Sequence, residues 1–276
     1  MSYKLINVAP VAGSLGAEIS GVDISADLDD EIIAEIRKAS HEYLVVFFRD
    51  QELTPAAQVA FARRFGEITI YPYVKGMADQ PEVVEIIKEP EETRNFGGLW
   101  HTDTSYVEKP PGASMLYAIL VPPYGGDTLF ANMCDAYDTL SQGMKDMLDG
   151  RTAIFSSEAA GGAYAREERQ NIDPPAEVTT AVHPVVRTHP ESGRKSLYVN
   201  GAHTVRFSDM TEEESRPILQ FLHTHQQRPE FTCRFVWKKG SLAYWDNRVV
   251  HHNPINDYHG FRREMRRIIL AGEKPF

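Results

Sequence analysis

Phe231-Thr-Cys-Arg-Phe-Val-Trp237 decides the fold class. Phe231, Cys233, Phe235 and Trp237 fall on every second residue. A period of two puts them on one face of a strand half buried in a core. Working outward, the runs 113–121, 128–131, 181–188, 196–200, 241–245 and 263–271 have the same β-like character, punctuated by Pro-Pro, Gly-Gly and Ser-Gly. Two helices interrupt the series. One is predicted over 135–150. The other opens with Thr211-Glu-Glu-Glu214, a capping-box pattern, and is expected to bury Ile218, Phe221 and Leu222.

Toward the N-terminus, strands and helices alternate. A helix is predicted over 28–43, with Ile32, Ile33, Ile36 and Ala39 at helical spacing behind an acidic first turn. A short buried strand follows at 44–48. Thr54-Pro55 then opens a second helix that carries Phe61 and Phe65 and ends at Gly66. The sum is a mainly β chain with flanking helices, expected as a double-stranded β-helix, a jelly roll with a cupin-like core. No internal repeat, low-complexity tract or long Ser/Gly linker interrupts it, so 1–276 is read as a single domain.

Composition narrows the function. The formal charge of −10 argues against nucleic-acid binding, which needs a basic face to neutralise phosphates. Any anionic ligand must therefore be captured by local arginines rather than by the overall field. No run of eighteen apolar residues exists for a membrane span, and the N-terminus lacks the charged and apolar regions of a signal peptide. Cys134 and Cys233 stand far apart, as two structural thiols of a reduced, cytoplasmic compartment would.

Ten histidines raise the question of which could share a metal. His101-Thr-Asp103 precedes β-like sequence, and on an extended segment residues i and i+2 point the same way. One imidazole and one carboxylate then face one point. A second histidine from a distant strand would complete a face of two histidines and one carboxylate that leaves positions open for substrate and O₂. His189-Pro-Glu191 competes, but beside Ser192-Gly193 it reads as an exposed hairpin tip, structural or solvated. His223 and His225 fall in a helical pattern, where i and i+2 do not share a face. Trp245-Asp-Asn-Arg-Val-Val-His-His252 ends a strand, and 263–269 reads as the next. There Arg263, Met265, Arg267 and Ile269 share one face, which looks inward. An inward arginine needs an anionic partner. That partner is either a bound dicarboxylate, which the planar guanidinium fork matches, or an internal carboxylate.

Gly97-Gly-Leu-Trp-His-Thr-Asp-Thr-Ser-Tyr106, Gly125-Gly-Asp-Thr-Leu-Phe130, His183-Pro-Val-Val-Arg-Thr-His-Pro190, Trp245-Asp-Asn-Arg248 and a closing Arg-Arg segment occur in this order. Together they resemble the taurine dioxygenase / 2,4-dichlorophenoxyacetate dioxygenase family of Fe(II)/2-oxoglutarate enzymes, over nearly the whole chain. The resemblance implies that His101, Asp103 and His252 hold Fe(II), with His251 the neighbour that does not. It implies Arg263 and Thr128 for 2-oxoglutarate as co-substrate, and Arg267 for the acidic group of a small-molecule substrate. It further implies O₂ as oxidant, succinate and CO₂ as by-products, and hydroxylation that splits the substrate if the carbon bears a leaving group. Asp103 supplies the carboxylate that a related halogenase would need absent, so halogenation is disfavoured. Homo-oligomers, dimers or tetramers, are usual among such enzymes.

Two departures from the taurine enzyme put taurine itself in doubt. Tyr71-Pro72 stands where that enzyme has a sulfonate-contacting histidine before a proline, and Gly97 stands where it has an asparagine. Tyr71, Asn95 and Phe96 are candidate pocket residues for something larger or more aromatic, with ordinary packing as the alternative. Two other function classes fit the sequence less well. A jelly-roll metal-dependent hydrolase or isomerase leaves Arg263 and Thr128 unexplained. A non-catalytic binding module would be expected to have lost a ligand, and none is lost.

Overall fold

Side-chain parity sorts the chain into layers. In the computed structural model, which describes residues 3–70, 74–159 and 178–276, the strand β3 (Val45–Phe48) sends Val45 and Phe47 to one side and Val46 and Phe48 to the other. It lies in an eight-stranded sheet with β1 (Asn7–Pro10), β2 (Ala17–Ser20), β4 (Ile68–Thr69), β5 (Val84–Lys88), β6 (Ala113–Leu120), β14 (Leu242–Asp246) and β16 (Arg263–Leu270). The strand order is β1-β2-β3-β14-β6-β16-β4, with β5 also paired to β16. The outer face is covered by α1 (Asp30–Tyr43) and α2 (Pro55–Arg63), which bury Ile33, Ile36, Phe61 and Ala62 against Val46, Phe48, Met115 and Ile268. Thr54 caps α2 by accepting from Ala57 N, and Pro55 sits where no N–H is needed. Leu44 ends α1 in the left-handed region at φ 65°, so β3 begins one residue later than the sequence predicts.

The inner face meets a second sheet of β13 (Thr232–Phe235), β7 (Thr128–Asn132) and β15 (Val250–Pro254). Phe47, Ala118, Trp245 and Met265 from the large sheet pack against Phe130, Cys233, Phe235 and Val250 from the small one. This face-to-face arrangement is the expected jelly-roll core. A third layer of β8 (Thr152–Ser156), β9 (Thr180–Pro184) and β12 (Thr204–Phe207), with the pair β10 (Val186–Thr188) and β11 (Lys195–Leu197), packs with three helices around Phe155 and Phe207. Those helices are α3 (Met133–Asp138), α4 (Gln142–Leu148) and α5 (Glu212–Gln226).

Several expectations are corrected here. The helix predicted over 135–150 is two, because Asn132 caps α3 and Ser141 caps a new start at α4. Residues 181–188 form two strands that pair with different neighbours, with Val185 between them. The strand at 196–200 stops at Leu197, since the Asn200 side chain accepts from Ala202 N and His203 N in a turn. The capping box of α5 is present, but its buried stripe is Ser215, Leu219, Leu222, His225 and Gln226, and Phe221 is 48% exposed at the stripe's edge. Phe231, Cys233, Phe235 and Trp237 are all buried, although Phe231 belongs to a 3₁₀ turn and packs with the helical cluster. Most consequential, 245–252 is not one strand. Asp246 accepts from Arg248 N and Val249 N, and the resulting turn moves β15 into the opposing sheet.

Candidate metal centre

His101 and His252 are joined by a single antiparallel bridge, with His101 N donating to His252 O at 3.1 Å and His252 N to His101 O at 2.8 Å. Side chains of such a pair lie on the same side. Parity on β15 then sends His252 inward with Phe130, its register partner, and His251 to the opposite face. After the bridge the chain turns rather than extends. Thr104 takes φ 40°, and Thr102 Oγ1 donates to Asn247 O at 2.6 Å. A tethered turn, not strand parity, brings Asp103 round.

The Nε2 atoms of His101 and His252 each stand 3.9 Å from Asp103 Oδ1, and the three ligand atoms lie within 4.8 Å of one another. Such a separation is too long for a hydrogen bond. It suits atoms that share one ion, since two bonds of about 2.1 Å span up to ~4.2 Å. Burial pushes both imidazoles below their ordinary range, against the pull of Asp103, so their lone pairs are unprotonated at neutral pH. Burial alone would raise the Asp103 carboxyl. Arg267, the two histidines and the Ser114 hydrogen bond outweigh it and hold the group well below the usual carboxylate range. Two neutral imidazoles and one carboxylate are the donor set of a non-haem Fe(II) site, and the residues present fit that ion.

Outer hydrogen bonds fix two of the three side chains, whereas His252 Nδ1 has no partner among the described residues. His101 Nδ1 meets Leu99 O at 2.6 Å, a bond in which the ring must donate, and this leaves Nε2 as the free lone pair. Gly97 packs its backbone on that ring. It sits at φ +72°, and a Cβ there would come within 2.9 Å of His101 Cε1. Asp103 Oδ2 accepts from Ser114 Oγ at 2.5 Å, Ser114 Oγ accepts from Asn247 Nδ2 at 2.9 Å, and Asn247 Oδ1 accepts from Trp245 Nε1 at 2.8 Å. Trp245 and Asn247 of the Trp-Asp-Asn-Arg motif thus face the centre. Asp246 and Arg248 pair with each other and reach the 189–191 hairpin instead. His189 is not at the exposed tip. It is buried, and its Nε2 meets Asp246 Oδ2 at 3.0 Å.

Beside the triad lies a cavity lined by Ile86, Phe96, Leu116, Thr128, Phe130, Trp245, Pro254, Arg263 and Arg267 together with both histidines. The large sheet's inner face supplies Arg263 and Arg267, and the small sheet supplies Thr128 and Phe130. Arg263 is buried beside Tyr258, and its Nε and Nη2 have no partner among the described residues. A guanidinium with two desolvated, unspent nitrogens is suited to receive a carboxylate. Arg267 donates from Nη1 to Asp103 Oδ1 at 3.3 Å and lies 5.4 Å over the Phe96 ring, so it shares an edge with the metal site.

Asn95, a candidate pocket residue, is not among the residues that line this cavity. Its Nδ2 donates to Pro254 O and Ile255 O, and its Oδ1 accepts from Tyr258, which ties the loop to the end of β15. Phe96 does line the cavity. Tyr71 lies outside the described residues. Sequence reasoning missed Ser114 and the placement of Trp245. The tryptophan's signal was its motif, while Ser114 had only the inward parity of β6.

A family model described as taurine catabolism dioxygenase TauD, TfdA family matches residues 7–269. The chain is 35% identical to an alpha-ketoglutarate-dependent sulfate ester dioxygenase of Pseudomonas putida, over 98% of this chain and 91% of that one. It is 33% identical to an alpha-ketoglutarate-dependent 2,4-dichlorophenoxyacetate dioxygenase of Cupriavidus pinatubonensis, over 94% and 95%. The solved structure of a taurine dioxygenase from Burkholderia xenovorans superimposes with a TM-score of 0.85 at 37% identity, covering 99% of this chain and 91% of that one. AAD-2, solved with Mn(II) and N-oxalylglycine, does so at 0.81 with 30% identity and 98% coverage of both.

Proposed function

The chain belongs to the TauD/TfdA family of dioxygenases, and on that premise we propose a role for each residue of its buried centre. The reaction class itself follows from membership: it is an Fe(II)- and 2-oxoglutarate-dependent dioxygenase acting on a small organic molecule. The hydrolase or isomerase alternative is not favoured by any of these relatives.

In this reading His101, Asp103 and His252 hold the metal through His Nε2 atoms and one carboxylate oxygen. Arg263 and Thr128 receive the distal carboxylate of 2-oxoglutarate, and Arg267 meets the acidic group of the substrate. When bound, the metal and keto acid supply the oxidising chemistry with O₂, releasing succinate and CO₂. The protein contributes position and dryness. Leu99 O keeps His101 in one tautomer, and Ser114 holds Asp103 Oδ2 away from the open side. Phe130, Trp245, Leu116 and Ile86 form apolar walls that keep bulk water from the reacting C–H bond.

The observation that carries the proposal is Arg263. Its two unpartnered nitrogens, Nε and Nη2, belong to a side chain that shares one cavity with His101 and His252. The substrate class we infer is anionic: a sulfate ester, sulfonate or aryloxyalkanoate, on which the relatives named above act. Two buried free thiols among the described residues support a reduced cytoplasmic setting, and none of the described helices is long and apolar enough to cross a membrane. One domain over 1–276 and a homodimer or homotetramer complete the proposal. The test is a screen of alkyl sulfates, sulfonates, aryloxyalkanoates and amino acids for substrate-stimulated succinate release. Stimulation confined to compounds without an acidic group would overturn the anionic class.

A further inference from the structure

Trp237 follows β13 two residues beyond Phe235, so parity carries its ring to the inner face, where it is buried. Its indole N–H donates to Thr128 Oγ1 at 2.9 Å, and its ring centroid lies 5.7 Å from the Arg263 guanidinium carbon. One side chain therefore touches both residues proposed for the distal carboxylate.

The chemistry of these contacts is directional. An indole N–H can only donate, so Thr128 must accept there and keeps its own O–H as a donor. No acceptor for that O–H occurs among the described residues, and Thr128 lines the cavity that Arg263 also lines. Without the indole partner, a threonine hydroxyl is free to turn toward nearby backbone groups. At Arg263 the ring face offsets part of the burial of the cation and limits the swing of its fork. The ring is itself held: Phe235 meets Trp237 edge-on at 4.8 Å, and Phe47 of the opposing sheet stacks on Phe235 at 4.0 Å.

We propose that Trp237 is a positioning residue for the co-substrate: its N–H aims the Thr128 hydroxyl, and its face holds the Arg263 fork, toward one carboxylate. The inference rests on the reading that Arg263 and Thr128 receive the distal carboxylate of 2-oxoglutarate.

The experiment is anaerobic calorimetric titration of the Fe(II)-loaded protein with 2-oxoglutarate and with 2-oxovalerate, which has a methyl group in place of the distal carboxylate. Trp237→Phe should weaken 2-oxoglutarate binding about 5- to 10-fold, the size of one hydrogen bond in a dry site, and leave 2-oxovalerate binding unchanged. Thr128→Val should give a similar loss, and the double variant should be no worse than the poorer single one. Equal weakening of both keto acids, or losses that multiply in the double variant, would overturn the proposal. A second measurement needs no variant at Trp237. In the Zn(II)-loaded wild type, the indole ¹H–¹⁵N resonance that Thr128→Val displaces should shift with 2-oxoglutarate and not with 2-oxovalerate. An unmoved resonance overturns the proposal as well. Arg263→Leu separates this from its premise: if that variant binds 2-oxoglutarate as the wild type does, the carboxylate assignment fails first.

Discussion

His101 and His252 exchange both of their backbone hydrogen bonds, so the two imidazoles are fixed by main chain before any ion is considered. The bridge also decides between adjacent histidines. His252 shares the inner face with Phe130, whereas the His251 ring lies on the other side of β15, buried, with Nε2 unpartnered among the described residues. His252→Ala should therefore abolish turnover and Fe(II) binding, as should His101→Ala and Asp103→Ala. His251→Ala should keep most of its activity despite some loss of stability. Equilibrium dialysis against Fe(II) checks this, and full activity of the wild type under excess chelator would contradict it.

Ser114 sits between Trp245 and Ile269 in register on the large sheet, and its hydroxyl is the donor to Asp103 Oδ2. Ser114→Ala strips that oxygen of its donor in a buried site and leaves Asn247 Nδ2 without its acceptor. Loss of such an outer partner typically costs about 10- to 100-fold in metal affinity. Chelator competition with Co(II) reads this directly. An unchanged affinity would make the Trp245–Asn247–Ser114 chain a packing feature only.

The fold and the triad were legible because they rest on short-range regularities. Alternation of two marked the inward face of β16, and ordered motifs marked His101, Asp103 and His252. What stayed hidden depends on long-range pairing. The turn at Trp245-Asp-Asn-Arg248 is local, made by the Asp246 side chain and carbonyl, but that it carries the chain into the other sheet depends on the distant strands that β14 and β15 pair with. His189 looked exposed because its neighbours are hairpin residues, yet Asp246, fifty-seven positions away, draws it inside. Asn95 lies next to a cavity residue in sequence and spends its amide on the far end of β15.

His223 offers a test through pH. Burial pushes its imidazole down to about 4, and its Nε2 has no partner among the described residues. In the unfolded chain the group titrates near ~6.5. Its folded pKa is depressed, so its contribution is neutral above pH ~6.5. Stability is lost as the pH falls from there toward 4, at up to about 1.4 kcal/mol per pH unit. His223→Gln should lose less stability than the wild type across that window and track it above. Urea unfolding at several pH values measures the difference, and identical pH slopes would refute it.

Arg263→Leu removes the proposed grip on 2-oxoglutarate. Losing a desolvated, charge-assisted pair costs roughly 2–5 kcal/mol, about 30-fold or more in affinity. The variant should need far more 2-oxoglutarate for half-maximal succinate release while binding Fe(II) normally. An unchanged 2-oxoglutarate dependence would reassign Arg263 to the Tyr258 contact and to structure.

Arg267 lies four residues from Arg263 on the same inward face, about 13 Å away at strand rise. Its Nη1 contact with Asp103 Oδ1 at 3.3 Å admits two accounts. In one, the arginine only neutralises a buried carboxylate, a common use for a buried cation. In the other it also receives the acidic group of the substrate, for which its place on the cavity wall beside Phe96 is suited. The overall charge of −10 gives the protein no general attraction for anions, so selection must come from a local cation of this kind. The accounts diverge in Arg267→Gln assayed with one authentic substrate and its uncharged ester or amide. If Arg267 is the anion anchor, the wild type strongly prefers the charged compound, and the variant loses most of that preference while retaining Fe(II). If it serves Asp103 alone, the variant binds Fe(II) more weakly and loses both compounds to the same degree. Equal handling of the two by the wild type would likewise end the anchor reading, because no cation in the cavity would then be sensing the charge.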